Sequence, residues 1–492
     1  MTSTRRSSTD CVHQAMLFDN LGSRQVVADF SGGHVSSDGG LLLYRQLERS
    51  LCLTRKLSQC FRDERDPRFI EHSVPSMLAQ RIVGLAAGYE DLNDHNRLRV
   101  DPLLALVAGK ADPEGQDRIQ PDQRGKPLAA ASTLNRLELT NNQPGSRYHR
   151  IVADHQAIEE LLLALGVGTL DKDAAEVTVD LDATGTLLYG NQQGRNFHAY
   201  YGDYCYLPLL IYVGTVPLWA QLRTSDRDGA DGALAALQKV VAAIRARCPR
   251  ARIIVRGDSG FCREEIMAWC EKQPAPLGPL YYCLGLARNR VLVDKLQPTL
   301  AMARAKACLT GGRGREFAEF EYQTHRSWSR SRRVIGRAEV TGGEDNPRFI
   351  VTNLAREGSD GSCQPDGQRF WPRACYEQLY CARAEMENQI KEQQLYLFGG
   401  RLSTHWLASN QLRLWFSAFA QYLMERLRRI GLTGTELAEA TAETIRTRLL
   451  KIGAVITLSV RRVRVQLASS FPLQELFYQV WRRLRALPTA SG

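Results

Sequence analysis

Three stretches carry residue types suited to chemistry at one site. The first, A-E-V-T-V-D-L-D-A-T at 175–184, alternates apolar Val177, Val179 and Leu181 with Thr178, Asp180 and Asp182. That period of two predicts a strand with its apolar face buried. Carboxylates on such a strand are costly unless a partner or a cation neutralises them. The second stretch, I-I-V-R-G-D-S-G-F, predicts another strand, ending on Asp258. The third is the helical run Y-E-Q-L-Y-C-A-R-A-E-M-E-N-Q-I-K-E, which holds Glu387. Hard divalent cations such as Mg²⁺ prefer carboxylate oxygens. Two of them clamped by three carboxylates can activate a hydroxyl and stabilise the leaving oxygen of an in-line phosphoryl displacement. Two aspartates on strands and a glutamate on a later helix thus form a candidate metal cage. The plainer alternative for Asp258 is a turn, since D-S-G is turn-forming.

The elements that must position these acids follow from the surrounding pattern. A Gly- and Asn-rich turn at 190–194 follows the first strand, and two strands at 197–213 and 216–222 complete an antiparallel meander. Residues 230–247 place Leu234, Leu237, Val241 and Ile244 on one helical face. A strand at 253–255, a helix at 264–271 and a strand at 280–286 come next. The order β-β-β-α-β-α-β is that of an RNase H-like core, a mixed sheet with helices on both faces. Residues 316–353 revert to strands and read as a β-rich insertion between Asp258 and the glutamate helix. The expected fold class is therefore α/β, an RNase H-like mixed sheet with a β-rich insertion, flanked by helical N- and C-terminal regions.

Before that core, residues 1–170 read as mostly helical, with helices at 41–51 and 74–87. The polar run Glu90, Asp91, Asp94 and His95 is better suited to capping a helix than to ligating a metal. After Tyr376 the pattern is helical to the end. The tail 446–492 holds nine Arg or Lys against one acid, Glu475. The expected divisions are 1–170 (helical, DNA-binding), 171–310 (first part of the core), 311–370 (insertion), 371–430 (glutamate helix) and 431–492 (basic, helical).

At 492 residues the chain is too long for one compact core. A net charge of +11 and a pI near 9.1 favour a polyanionic partner. None of the 12 cysteines forms a C-x-x-C pair, which speaks against a zinc ribbon or disulfide framework and for reduced thiols in a cytosolic protein. The N-terminal residues lack the apolar centre of a signal peptide. The uncharged stretch 204–222 contains Pro208, Gly214-Thr215 and Pro217, so two buried strands account for it better than a membrane helix.

Taken together, D-L-D-A-T, R-G-D-S-G-F and Y-C-A-R-A-E-M-E-N-Q-I-K-E resemble the DDE transposases of bacterial insertion sequences, specifically the insertion-sequence-1380 type. The likeness extends to S-S-D-G-G-L-L-L, G-Y-E-D-L-N-D-H-N and L-L-K-I-G-A, nearly the whole chain. It implies an RNase H-like core, a β-rich insertion and a signature Y-x-x-R-x-x-x-E, met here by Tyr380, Arg383 and Glu387. It further implies that Asp182, Asp258 and Glu387 are catalytic acids holding Mg²⁺ or Mn²⁺, with two ions expected. The implied partners are double-stranded DNA, both terminal inverted repeats and target, and a second copy in the DNA-bound complex. Asp180 rivals Asp182, which is preferred because it lies at the strand's end. Glu385 rivals Glu387 but misses the spacing. Related signatures carry Lys where Gln394 stands here, and Lys391, one turn after Glu387, is the candidate substitute.

The DNA-contacting candidates follow from charge as well as from the resemblance. Arg383 and Tyr380 would hold a terminal phosphate, with Lys391 beside them. R-S-W-S-R-S-R-R sets Trp328 among Arg326, Arg330, Arg332 and Arg333, read as an exposed aromatic for base stacking among phosphate contacts. Arg461, Arg462 and Arg464 in the basic tail complete the expected interface.

Overall fold

A computed structural model describes residues 15–139, 146, 148–273, 280–355 and 367–489. Its centre is one large sheet whose strands are Glu176–Ala183 (β1), Leu209–Val213 (β2), Val216–Gln221 (β3), Arg252–Gly257 (β4), Leu280–Leu286 (β5), Gly314–Tyr322 (β6), Arg332–Thr341 (β7) and Arg348–Thr352 (β8). They lie in the order β3-β2-β1-β4-β5-β8-β7-β6, with the two residues Glu344–Asp345 pairing on β7 as a ninth strand. β1, β4 and β5 run parallel, and every other pairing is antiparallel. Parallel strands covered on both faces tend to read as continuous apolar runs, as the middle of β4 does, whereas β1 keeps its alternation. Ile253, Ile254 and Val255 of β4 are accordingly all fully buried.

Helices Ala233–Arg247 (α1) and Glu264–Glu271 (α2) connect β3 to β4 and β4 to β5. Arg290–Thr310 (α3) lies along β6 and β7. Ala384–Leu395 (α4) carries Glu387, and Leu407–Arg426 (α5) follows it. α5 is buried along nearly its whole length, between helix Val74–Ala86 and β3. This helix joins the N-terminal helices to the sheet. The uncharged stretch folds as β2 and β3, turning at Gly214 and Thr215 as its punctuation predicts. No described helix is long and apolar enough to cross a membrane. The described cysteines are free thiols.

Two expectations are corrected. The strands expected as a β-rich insertion are present, but β8 pairs with β5, so they prolong the central sheet. The tail is not helical throughout. Ala454–Ser459 and Arg462–Leu467 form a hairpin turning at Val460 and Arg461, and only then does helix Gln474–Arg485 follow. The reason is visible in V-I-T-L-S-V-R-R-V-R-V-Q-L, which is rich in β-branched residues and in whose second half Val463, Val465 and Leu467 alternate with Arg462, Arg464 and Gln466. Strand His34–Ser36 adds to this hairpin, tying the two ends of the described chain together. The N-terminal region likewise includes a hairpin, Met16–Leu21 with Arg24–Ala28.

The outlying motifs meet at that junction. The Gly39 amide donates to the Ile452 carbonyl at 2.8 Å. A Cβ on Gly40 would fall 2.4 Å from the Leu449 carbonyl oxygen, so only glycine fits. Lys451 Nζ donates to Asp38 Oδ1 at 2.6 Å and lies 3.1 Å from the Tyr89 hydroxyl. Asp91 and Asp94 cap each other's backbone, and buried His95 bonds Gln80, so that run serves capping and packing.

Candidate active site

The acids arrive from three directions. Asp182 is near the C-terminal end of β1 and Asp258 directly follows β4, its parallel neighbour, so both leave the sheet at one edge. Asp258 also caps the turn Ser259–Phe261, its Oδ1 accepting from the Gly260 amide at 2.8 Å. The turn reading of D-S-G is thus met, at the same end of the sheet as Asp182. Glu387 projects from the first turn of α4. Arg383, one turn earlier, donates to Asp182 Oδ1 at 3.3 Å and also to Glu387 Oε1. One guanidinium thus bridges strand and helix.

The helix reaches this position through an irregular backbone. Cys375–Tyr380 forms a wide π turn and Cys381–Arg383 a tight 3-10 turn before α4 begins. Single wide turns inside helices commonly sit at functional sites. Gly285 on β5 makes room for this passage. A Cβ there would lie 2.6 Å from the Tyr380 hydroxyl and 2.8 Å from the Ser259 amide nitrogen. Tyr380 therefore reaches the loop that holds Asp258.

Asp180 has a different occupation. It is 2% exposed and receives Arg256 Nε and Nη2 at 2.7 Å each, a two-pronged ion pair across the β1–β4 register. Arg256 Nη1 donates to the Leu379 carbonyl at 2.6 Å, at the end of the wide turn. Arg256 was missed from sequence. Its signal is the R-G-D spacing, which on a strand parallel to β1 sets Arg256 opposite Asp180.

Burial raises the Asp182 carboxyl to about 6, with Arg383 pulling it down and the charges of Asp258 and Glu387 pushing it further up. Asp182 thus feels both other acids. Its side chain is 16% exposed against 45% for Glu387. Among the described residues no three His, Cys, Asp or Glu side chains lie close enough together to hold a metal ion as they stand. The donor chemistry nevertheless suits a hard divalent cation, because all three are carboxylates and Arg383 stands between two of them as a cation.

The remaining candidates divide. Lys391 and Glu385 line a cleft of about 570 Å³ with Glu425 and Arg429, and none of the three acids lines it. Trp328 is a correction: it is 7% exposed, edge-on to Tyr322 with ring centroids 5.6 Å apart. Arg332 is buried too, paired to Glu264 and Glu271 of α2 at 2.6 and 2.7 Å. Arg333 pairs with Glu319 at 2.6 Å and donates to the Leu354 and Phe370 carbonyls. These three hold the extended sheet together, because acids on β6 and α2 meet the arginines that polar neighbours made look exposed. Arg326 and Arg330 are exposed, as are Arg461, Arg462 and Arg464 on the C-terminal hairpin.

The family model Transposase DDE domain group 1 matches residues 18–489. Among solved structures, a piggyBac transposase in a synaptic complex with hairpin DNA, seen by cryo-EM, is 9% identical, covering 84% of this chain and 80% of that one, with a TM-score of 0.36. No curated protein matches.

Proposed function

The chain belongs to the group 1 DDE-domain transposases, a membership that implies DNA cleavage and strand transfer, and from it we propose metal-dependent phosphoryl transfer at the ends of an insertion sequence. In this reading the inverted repeats flanking the element are the substrate, and the enzyme is of the insertion-sequence-1380 type. Asp182, Asp258 and Glu387 are the catalytic acids. The observation that carries this is the convergence of residues from β1, the end of β4 and α4 on Arg383 and on the charge of Asp182. The strand order β3-β2-β1-β4-β5, with β1, β4 and β5 parallel, supports an RNase H-like core.

The three carboxylates would hold Mg²⁺ or Mn²⁺, which when bound supplies activation of a hydroxyl nucleophile and neutralises the leaving oxygen. The chain's own residues do the rest. Asp182, raised to about 6, is ionised at neutral pH and so presents a carboxylate when the enzyme works. Arg383 and the Tyr380 hydroxyl flank the acids and orient a terminal phosphate. Asp180 and Arg256 keep the glutamate helix in register with β1. The exposed arginines of the C-terminal hairpin, with Arg326 and Arg330, contact DNA backbone in a dimeric complex.

The test is incubation of the purified protein with Mg²⁺ and a plasmid carrying the DNA that flanks its gene. Cleavage at short inverted repeats and joining to a second plasmid are expected. Asp182→Asn, Asp258→Asn and Glu387→Gln should each lower both steps by roughly a thousandfold or more. Cleavage without joining would make the protein a nuclease. Full activity in Asp182→Asn would remove that residue from the site.

A further inference from the structure

A small sheet inserted after β1 has no part in the scheme above. It consists of Thr186–Leu187, Asn196–His198 and Asp203–Tyr206, with the last strand in the middle. Tyr206 is buried beneath it, but four aromatic side chains on its strands and connections face solvent: Tyr189 is 87% exposed, Tyr200 85%, Phe197 59% and Tyr204 42%. Four exposed aromatics on so short a segment form the kind of patch that marks an interaction site. Phe197 lies directly across from Tyr204, with ring centroids 5.9 Å apart and edge to face. The Arg195 guanidinium lies over the Tyr204 ring, 4.6 Å from its centroid. Tyr200 meets Tyr201 edge-on at 5.0 Å.

The patch is anchored beside the acids. The Tyr201 ring covers Gly185, where a Cβ would come within 2.7 Å of it, and Gly185 stands three positions beyond Asp182 in the chain. A polymer with a phosphate at Asp182 would have the Tyr201 ring beside it, and exposed Tyr200 lies against that ring. Resting on the reading of the chain as a DNA-cutting enzyme, we propose that this sheet is a stacking platform for unpaired bases of the DNA end held at Asp182. Flat π faces accept any base, and an arginine among them neutralises the adjoining phosphate. A protein partner would find a patch interrupted by a guanidinium and lying against the candidate active site of a chain with net charge +11, where a polyanion is favoured.

Fluorescence anisotropy tests this with two probes, a short labelled duplex of arbitrary sequence and the same duplex with unpaired thymines at one end. The wild-type protein should bind the frayed duplex roughly tenfold more tightly, the effect of one stacked base. Tyr189→Ala with Tyr200→Ala should erase that preference while leaving affinity for the paired duplex unchanged. Tyr189→Phe with Tyr200→Phe should keep it, since the ring face is retained. A preference that survives the alanines, an equal loss on both duplexes, or no preference in the wild type overturns the platform. Cleavage of the flanking DNA is measured in parallel. If the protein cuts and joins that DNA but fails the anisotropy test, only the platform falls. If it neither binds nor cuts DNA, the enzymatic reading falls and the platform with it.

Discussion

Asp180 and Asp182 lie two residues apart on one face of the same strand and meet opposite surroundings. Asp180 is neutralised by Arg256, whereas Asp182 shares Arg383 with Glu387 and lies within the field of Asp258. The consequence is a pH dependence whose sign can be worked out. The Asp182 carboxyl is raised to about 6 in the folded protein, against roughly 3.9 in an unfolded chain. Between those values the folded state binds more protons, so its stability falls as pH rises through that window. In metal-free protein, Asp182→Asn should therefore be more stable than wild type at pH 7.5, by about 1–3 kcal/mol. The difference should close below about pH 4. Urea unfolding at the two pH values checks this, and a variant less stable at pH 7.5 would mean that Arg383 outweighs burial.

At the scale of elements, the glutamate helix is held to the sheet by Arg256, with Asp180 on one side and the Leu379 carbonyl on the other. Removing one partner of a buried pair strands the other charge, so Arg256→Met should cost about 3–5 kcal/mol. Asp180→Leu combined with Arg256→Met should restore much of that stability, because apolar pairs often replace buried ion pairs at little cost. DNA cleavage should stay low in the double variant, since nothing then donates to Leu379 at the wide turn. Restored cleavage would reduce the pair to a packing device. Trp328 belongs to the sheet as well. Trp328→Ala should cost about 3–5 kcal/mol as a buried large-to-small change. At a temperature where the variant is folded it should slow every cleavage step alike. Selective loss of a later strand-cutting step would return it to a role at the DNA.

What was legible in the sequence follows from the physics of each segment. The strands of the sheet could be read because alternation is a local signal. Asp182 and Asp258 stood out as candidates because a carboxylate in or ending an apolar strand is one too, whereas Glu387 on its helix was marked only by its spacing from Tyr380 and Arg383. The pairing of β5 with β8 was not, because nothing local tells whether a run of strands makes its own sheet or prolongs another. Trp328 and Arg332 misled for a similar reason: their covering partners, Tyr322, Glu264 and Glu271, come from other elements. The tail departs from the helical expectation because β-branched Val455, Ile456, Thr457, Val463 and Val465 favour strands, a preference that the many arginines around them mask.

That tail carries the whole-molecule prediction about DNA. Arg462 and Arg464 lie on one face of the C-terminal hairpin, with Arg461 at its turn. Neutralising Arg462 and Arg464 should reduce the log–log salt slope of DNA binding by about two. An unchanged slope would assign the hairpin to the junction between the chain's two ends.

The claim on which everything rests is that Asp182, Asp258 and Glu387, remote in sequence, serve one cation site. Fe²⁺ loaded in place of Mg²⁺, with ascorbate and peroxide, cuts a polypeptide next to where it is bound. The expected fragments end near residues 182, 258 and 387 together, and excess Mg²⁺ suppresses all three cuts. Cuts confined to other segments, or cuts near 182 and 258 with none near 387, would contradict the site.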